Sequence, residues 1–207
     1  MYNKEKLLVI DTETGGLDPT QHSILSLGAV VYGVGGHIED ELYIQIAEPN
    51  IVATPAALKV NGIDLTTWVG DDPLQAVVYL KNWLQKNWIR KPVGLAGHNV
   101  ASFDVGFVKR LFALAGEDYS KVFHYRMLDT MTLAYALDLA GRLPGLRSRG
   151  LDALCQRFGI VIRKGEAHNA LEDARATAQL LTRLMDMIRD PSRQAPDAPE
   201  APIEEKE

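Results

Sequence analysis

The chain has 207 residues and a single cysteine, Cys155, so it can form no internal disulfide. That usage fits a reducing compartment. No apolar run approaches the roughly 20 residues needed to span a bilayer. The opening MYNKEK lacks the apolar core of a secretory signal. Together these absences predict a cytoplasmic protein with no membrane partner. No internal repeat is visible, so a repeat array is left aside. There is also no strong excess of one charge. The net charge is −5, but residues 190–207 hold six acids and two bases, a net of −4, which leaves −1 for residues 1–189. A near-neutral body permits nucleic-acid binding without arguing for it.

What is present is ordinary for a globular protein: 46% apolar and 24% charged residues. The length predicts one domain, residues 1–189. Residues 190–207, rich in Pro, Ala and acids with almost nothing to bury, are expected to be a disordered tail.

The chain is organised around residues 7–17, LLVIDTETGGL. The apolar run Leu7 to Ile10 reads as a buried strand, with Gly15-Gly16 as its stop. Side chains at i and i+2 of a strand share a face, so Asp11 and Glu13 stand side by side at its end. Paired carboxylates repel and are costly to desolvate. A cation between them resolves this, and hard oxygen donors suit Mg²⁺ or Mn²⁺.

Further strands are expected over 24–34 and 41–47, joined by a hairpin at Gly35-Gly36 and forming an antiparallel meander with the first. Pro55 opens a short helical piece. Asp72-Pro73 begins a helix to about residue 88, with Leu74, Val77, Val78, Leu80, Leu84 and Trp88 at helical spacing. From residue 92 strands and helices alternate, which implies added parallel strands. Val93 to Ala96 is one such strand. Ser102 is the expected cap of the next helix, with Asp104 in its first turn, where the helix dipole favours a carboxylate. YRMLDTMTLAYAL (125–137) repeats the pattern around Asp129. Residues 150–160 form a short helix with Cys155 on its apolar face. The last helix carries Leu171, Ala174, Ala178, Leu181, Met185 and Ile188 on one face.

HNALED (168–173) opens that helix. Asn169 is the expected N-cap, with Glu172 completing a capping-box-like pattern. His168 and Asp173 then occupy the two positions that meet across the helix start. Strand ends and helix starts are where open α/β sheets bind ligands. Four carboxylates and an imidazole meeting there would form a two-metal site with a base. His98 is assigned a packing or hydrogen-bonding role, Asp129 the orienting of a neighbour, and His22, His37 and His124 no part in chemistry.

These three stretches together resemble the DEDDh, or DnaQ-like, family of 3′→5′ exonucleases, which includes the proofreading subunit of bacterial DNA polymerase III. The first family motif matches Asp11-Thr12-Glu13-Thr14-Gly15-Gly16-Leu17. The second matches His98-Asn99 through Phe103-Asp104 and on to Phe107. The third, H-x-A-x-x-D, matches His168, Ala170 and Asp173. The resemblance implies a ribonuclease-H-like fold, a five-stranded mixed sheet with helices on both sides. It implies that Asp11, Glu13, Asp104 and Asp173 hold two divalent ions, Mg²⁺ or Mn²⁺, and that His168 is the general base.

It also makes Thr12, Thr14, Gly15, Leu17, Asn61, Ile63, Asn99 and Phe103 candidate substrate contacts, with Leu17 wedged against the last base. One departure is visible: Asn61-Gly62-Ile63 stands where many relatives carry His-Gly-Ile. The expected partner is nucleic acid, single-stranded DNA foremost, with a polymerase or repair partner admitted. Arg142, Arg147, Arg149, Arg157, Arg163 and Lys164 are candidates to follow a phosphate backbone. The rival readings are an RNA-trimming enzyme of the same family, an aspartyl-phosphatase, and a non-catalytic nucleic-acid-binding module.

Overall fold

The computed structural model describes residues 6–33, 35–87, 89, 92–162, 169–190, 192, 195 and 196. His168, Arg163, Lys164, Trp88 and most of 190–207 lie outside the described residues. Five strands form one sheet: β1 (Leu7–Thr14), β2 (Ile24–Tyr32), β3 (Ile38–Gln45), β4 (Val93–Gly97) and β5 (Phe123–Asp129), in the order β3-β2-β1-β4-β5. β2 runs antiparallel to both β1 and β3, while β4 and β5 extend the sheet in parallel from β1. The helices are α1 (Pro55–Asn61), α2 (Pro73–Lys86), α3 (Asp104–Leu114), α4 (Thr130–Leu139), α5 (Leu151–Arg157) and α6 (Ala170–Arg189). This is the mixed, ribonuclease-H-like sheet that the motifs imply. Among the described residues no helix is long and apolar enough to cross a membrane.

β1 is central, and its alternation decides where each layer sits. Leu8 and Ile10 face one side, in a core shared with Ala76, Val77, Leu80 and Leu84 of α2 and Phe107 and Leu111 of α3. Val9 faces the other side, against Ala174, Ala178 and Leu181 of α6. A second stripe of α6 (Ala176, Leu180, Leu184, Met187) packs on Ala134, Leu154 and Phe158 of the α4–α5 region. The long helix is therefore apolar on two sides, and one face of the sequence pattern described only half of it.

Several local expectations are corrected. β3 begins at Ile38 rather than 41, because its acids Glu39 and Asp40 are paired along the sheet edge with Lys6 and with Trp83 and Asn87. In α2, Leu74 and Val78 are exposed, and Ala76 and Trp83 take the inward positions. Ser102 does not cap α3. Phe103 is the N-cap residue and makes no side-chain cap bond. The turn before it is closed by the Ser102 and Phe103 amides donating to the Asn99 carbonyl, at 3.2 and 3.1 Å. Asn99 adopts φ 61°, a left-handed conformation that asparagine tolerates better than most residues. Asn169 does cap α6, accepting from the Leu171 amide at 2.9 Å. Glu172 does not complete a capping box; its carboxylate pairs with Arg175, one turn along. Ala195 packs against the α4–α6 cluster, so one described residue of the expected tail touches the domain.

Candidate active site

On β1 the residues Val9, Asp11 and Glu13 share a parity, so both acids point to the α6 face. Opposite Asp11 in the β1–β2 register stands Gly28. A Cβ there would lie 2.2 Å from the Ala170 carbonyl and 2.3 Å from the Leu171 nitrogen. The missing side chain lets the start of α6 lie on the sheet, and that brings Asp173 down to the end of β1. Oxygens of Asp11, Glu13 and Asp173 lie within 4.8 Å of one another. Gly28 was not singled out from the sequence. The available signal was a glycine inside an apolar strand, which marks close backbone approach.

Asp104 reaches the same strand end from the opposite layer. Thr12, of the other parity, faces α3 and donates its hydroxyl to Asp104 Oδ1 at 2.7 Å. Asp104 is 3% exposed and is the first residue of α3. It stands beside the trio rather than within it. Thr12, expected to touch substrate, also straps this carboxylate in place.

The electrostatics are those of acids crowded away from water. Burial pushes the Glu13 carboxyl up to about 7, with Asp173 and Asp104 adding to the effect. Burial also pushes Asp104 up to about 7, against the pull of the Thr12 hydrogen bond. Asp11 keeps some surface open but is packed round by protein. It is raised well above the usual carboxylate range by desolvation first, then by Asp104, Asp173 and Glu13. Among the described residues, every charged neighbour acting on Asp11 and Glu13 is another acid. The donor set is all hard oxygen and repels itself, which fits divalent cations such as Mg²⁺ or Mn²⁺.

Beside Glu13 opens a cavity of about 510 Å³. Thr12, Glu13, Thr14, Gly16, Leu17 and His22 line one side, and Thr54, Ala56, Ala57, Val60 and Asn61 of the α1 region, with Phe103, the other. Leu17 projects at 85% exposure. Buried Asn61 donates from Nδ2 to the Thr14 carbonyl at 2.9 Å, which ties α1 to the end of β1. Gly15, Ile63 and Asn99 do not line the cavity. Gly15 passes so close to the 52–53 backbone that a Cβ would meet the Val52 carbonyl oxygen at 2.2 Å. Ile63 donates its amide to Leu58 as α1 ends. Asn99 shapes the turn before α3, and its amide donates to Asp129 Oδ1 at 3.2 Å.

The remaining candidates separate clearly. His98 Nδ1 lies 2.9 Å from the Thr130 hydroxyl, which itself donates to the Gly97 carbonyl at 3.2 Å. Burial lowers the ring's pKa, and His98 serves as a packing and hydrogen-bonding residue. Asp129 caps α4 through the Met131 and Thr132 amides. His22, expected to take no part in chemistry, is part of the cavity wall. Three arginines of the basic stretch have partners within the fold. Arg142 donates to the Met187 and Asp190 carbonyls at the end of α6. Arg149 pairs with Asp138 at 2.7 Å and lies over the Tyr135 ring. Arg157 is 5% exposed and donates to the Pro144 carbonyl. Arg142 and Arg157 are thus engaged by backbone carbonyls, and Arg149 by a carboxylate and a ring.

Comparison with known proteins places these features in context. A family model described as Exonuclease (RNase_T) matches residues 8–181. The DNA polymerase III subunit epsilon of Salmonella typhimurium (strain LT2) is 32% identical over 179 residues, covering 84% of this chain and 68% of that protein. The subunit of the same name from Buchnera aphidicola subsp. Baizongia pistaciae is 28% identical over 194 residues, covering 88% and 71%. Among solved structures, E. coli Exonuclease I in complex with a 5cy-dT13 oligonucleotide superposes with a TM-score of 0.74 at 18% identity. That match covers 92% of this chain but only 42% of Exonuclease I, so the likeness is one of fold.

Proposed function

The chain belongs to the Exonuclease (RNase_T) family and is a 3′→5′ exonuclease; from that premise we propose that it removes nucleoside monophosphates one at a time from the 3′ ends of single-stranded DNA. The observation that carries this reading is the pairing of the acid trio with the adjoining cavity. The cavity has the volume for one terminal nucleoside, and Leu17 lines it and is exposed, which supports a contact with the last base. In this reading Asp11, Glu13, Asp104 and Asp173 hold two divalent cations. Bound there, such ions acidify water and offset charge on the leaving 3′ oxygen. Thr12 keeps the Asp104 carboxylate turned toward the strand end. His168, immediately before the α6 cap, takes the proton of the attacking water, since an imidazole titrates near neutral pH.

The proposed partners are single-stranded DNA and a polymerase. Exonuclease I was solved with an oligonucleotide, which supports single-stranded DNA as the ligand. The epsilon subunits bear the name of a polymerase, which supports association with one. The test is digestion of matched DNA and RNA single strands, labelled at either end, with Mn²⁺. Monophosphate release from the 3′ label on DNA, outpacing RNA, is expected. Efficient cutting of a circular single strand would end the exonuclease reading, and faster digestion of RNA would move the substrate to RNA.

A further inference from the structure

Near the cavity lies an ion pair, buried at its acid and half-buried at its base, that the chemistry above does not use. Glu48 follows β3, and its side chain is 2% exposed. Arg110, on α3, grips it with both arms of its fork: Nε to Oε1 at 3.0 Å and Nη2 to Oε2 at 2.7 Å. The same carboxylate accepts from the Ser23 hydroxyl at 2.8 Å and the Ile24 amide at 3.3 Å. The third guanidinium nitrogen, Nη1, reaches the Pro19 carbonyl at 3.4 Å.

The far ends of these bonds are the two walls of the cavity. One wall is the loop from Gly15 to Ser23, which carries Gly16, Leu17 and His22. Its neck is closed by the Gly15 amide donating to the Ser23 carbonyl at 2.8 Å. The other wall is α1, led in by residues 52–54. Ser23 Oγ accepts from the Val52 amide at 3.0 Å, and the Thr54 amide donates to the Gly15 carbonyl at 2.7 Å. Both walls therefore meet at Ser23, where Glu48 holds them. Arg110 stands six residues along the helix that begins with Asp104, about 9 Å of helix rise. Pro19 also packs against the first turn of that helix: a Cβ on Gly106 would meet its Cγ at 2.7 Å.

We infer that Glu48 and Arg110 are positioning residues that set the nucleotide cavity in register with the acid cluster. This rests on the function proposed above. The reason is geometric: Asp104 and the loop and α1 walls belong to different segments, and this pair bonds the middle of α3 to the point where those two walls meet. A buried ion pair is poor evidence for stability, because an apolar pair of similar volume often serves a fold as well or better. Registry is what an apolar pair would lose. A misplacement of about 1 Å of a bound substrate can cost on the order of a hundredfold in rate.

The test uses Arg110→Lys, which keeps the charge but not the fork, and the double variant Glu48→Met with Arg110→Met, which replaces the pair by apolar bulk. Three readouts are taken with Mn²⁺: binding of thymidine 5′-monophosphate, hydrolysis of p-nitrophenyl thymidine 5′-phosphate, and hydrolysis of bis(p-nitrophenyl) phosphate, which has no nucleoside to seat. The expected result is about tenfold weaker nucleotide binding, with a KM for the thymidine ester raised by a similar factor. Turnover of the nucleoside-free ester falls less than twofold, and Arg110→Lys lies between wild type and the double variant. Unchanged nucleotide binding in a folded double variant would overturn the inference. An equal loss on both esters, or loss of the fold in both variants, would also overturn it, since the pair would then serve the acids or the core. Wild type that binds the nucleotide but hydrolyses neither ester would refute the proposed function, and the inference would still be judged on binding.

Discussion

The metal-free protein should lose stability as pH rises through neutrality, and Glu13 should carry much of that loss. Its carboxyl has an ordinary value of 4.5 and sits at about 7 in the folded state, chiefly through burial. The folded protein therefore holds a proton that the unfolded chain releases between those two values. Below about pH 4.5 both states are protonated and the group costs nothing. Above about pH 7 the ionised acid is held against its environment, and the cost is complete. A shift of this size, at 1.36 kcal/mol per unit, amounts to about 3 kcal/mol. For a domain of this length that corresponds to about 6–12 °C in melting temperature. Glu13→Gln removes the charge and keeps the shape. In EDTA at pH 8.5 the variant should melt higher than wild type by that margin, and at pH 4.5 the two should coincide within about 2 °C by the same conversion. The assay is a series of thermal melts in EDTA from pH 4.5 to 8.5, read as the difference between the two proteins. A difference that stays flat with pH, or a wild type that is the more stable at pH 8.5, would refute the reasoning.

Other outcomes are expected from the same site. Mn²⁺ at a hundredfold excess over its Kd should stabilise wild type by about 2.7 kcal/mol, and Asp104→Asn should lose most of that rise while melting no lower than wild type in EDTA; equal metal-induced shifts would exclude Asp104 as a ligand. His168→Ala should lose roughly two to four orders of magnitude in rate, the usual span for a general base, while its melting temperature still rises with Mn²⁺; near-normal turnover would place the base elsewhere. Gly28→Ala should drive the start of α6 off the sheet and cut the rate on the order of a hundredfold, whereas Gly150→Ala, whose Cβ would meet only the Ser148 hydroxyl at 3.5 Å, should behave as wild type in the same assay. Truncation after Asp190 should leave DNA hydrolysis intact, measured on labelled single strands, since among the described residues beyond it only Ala195 packs on a core cluster.

Much of the fold was legible because its strands are apolar runs closed by turn residues, and because alternation from residue 92 onward implies parallel pairing. What escaped was set by contacts between distant segments. The inward face of α2 includes Ala76 and Trp83, which helical spacing of the larger aliphatics passes over. The start of β3 is hidden by acids whose partners, Lys6 and Asn87, come from elsewhere in the chain. α3 begins without a side-chain cap, because a left-handed Asn99 turns the chain and satisfies the amides with backbone. The basic stretch was read as a candidate phosphate track, since sequence does not show that Arg142 and Arg157 donate to backbone carbonyls.

The acids of the site were legible for a different reason. Carboxylates that must meet across layers have few places to stand, namely strand ends and first helical turns, and these four occupy them. The sequence did not show what brings them together. Asp173 reaches the end of β1 only because Gly28 has no side chain, and Asp104 is oriented by a hydroxyl one residue from Asp11. Gly28 acts by permitting a close approach and Thr12 by fixing a direction, which a motif of charged residues cannot report. The same reasoning applies to Glu48 and Arg110, whose contribution appears only when the two cavity walls are traced back to one carboxylate. A site that gathers mutually repelling acids depends on such supports outside the acid cluster. The fold must hold those acids in place before any cation offsets their repulsion.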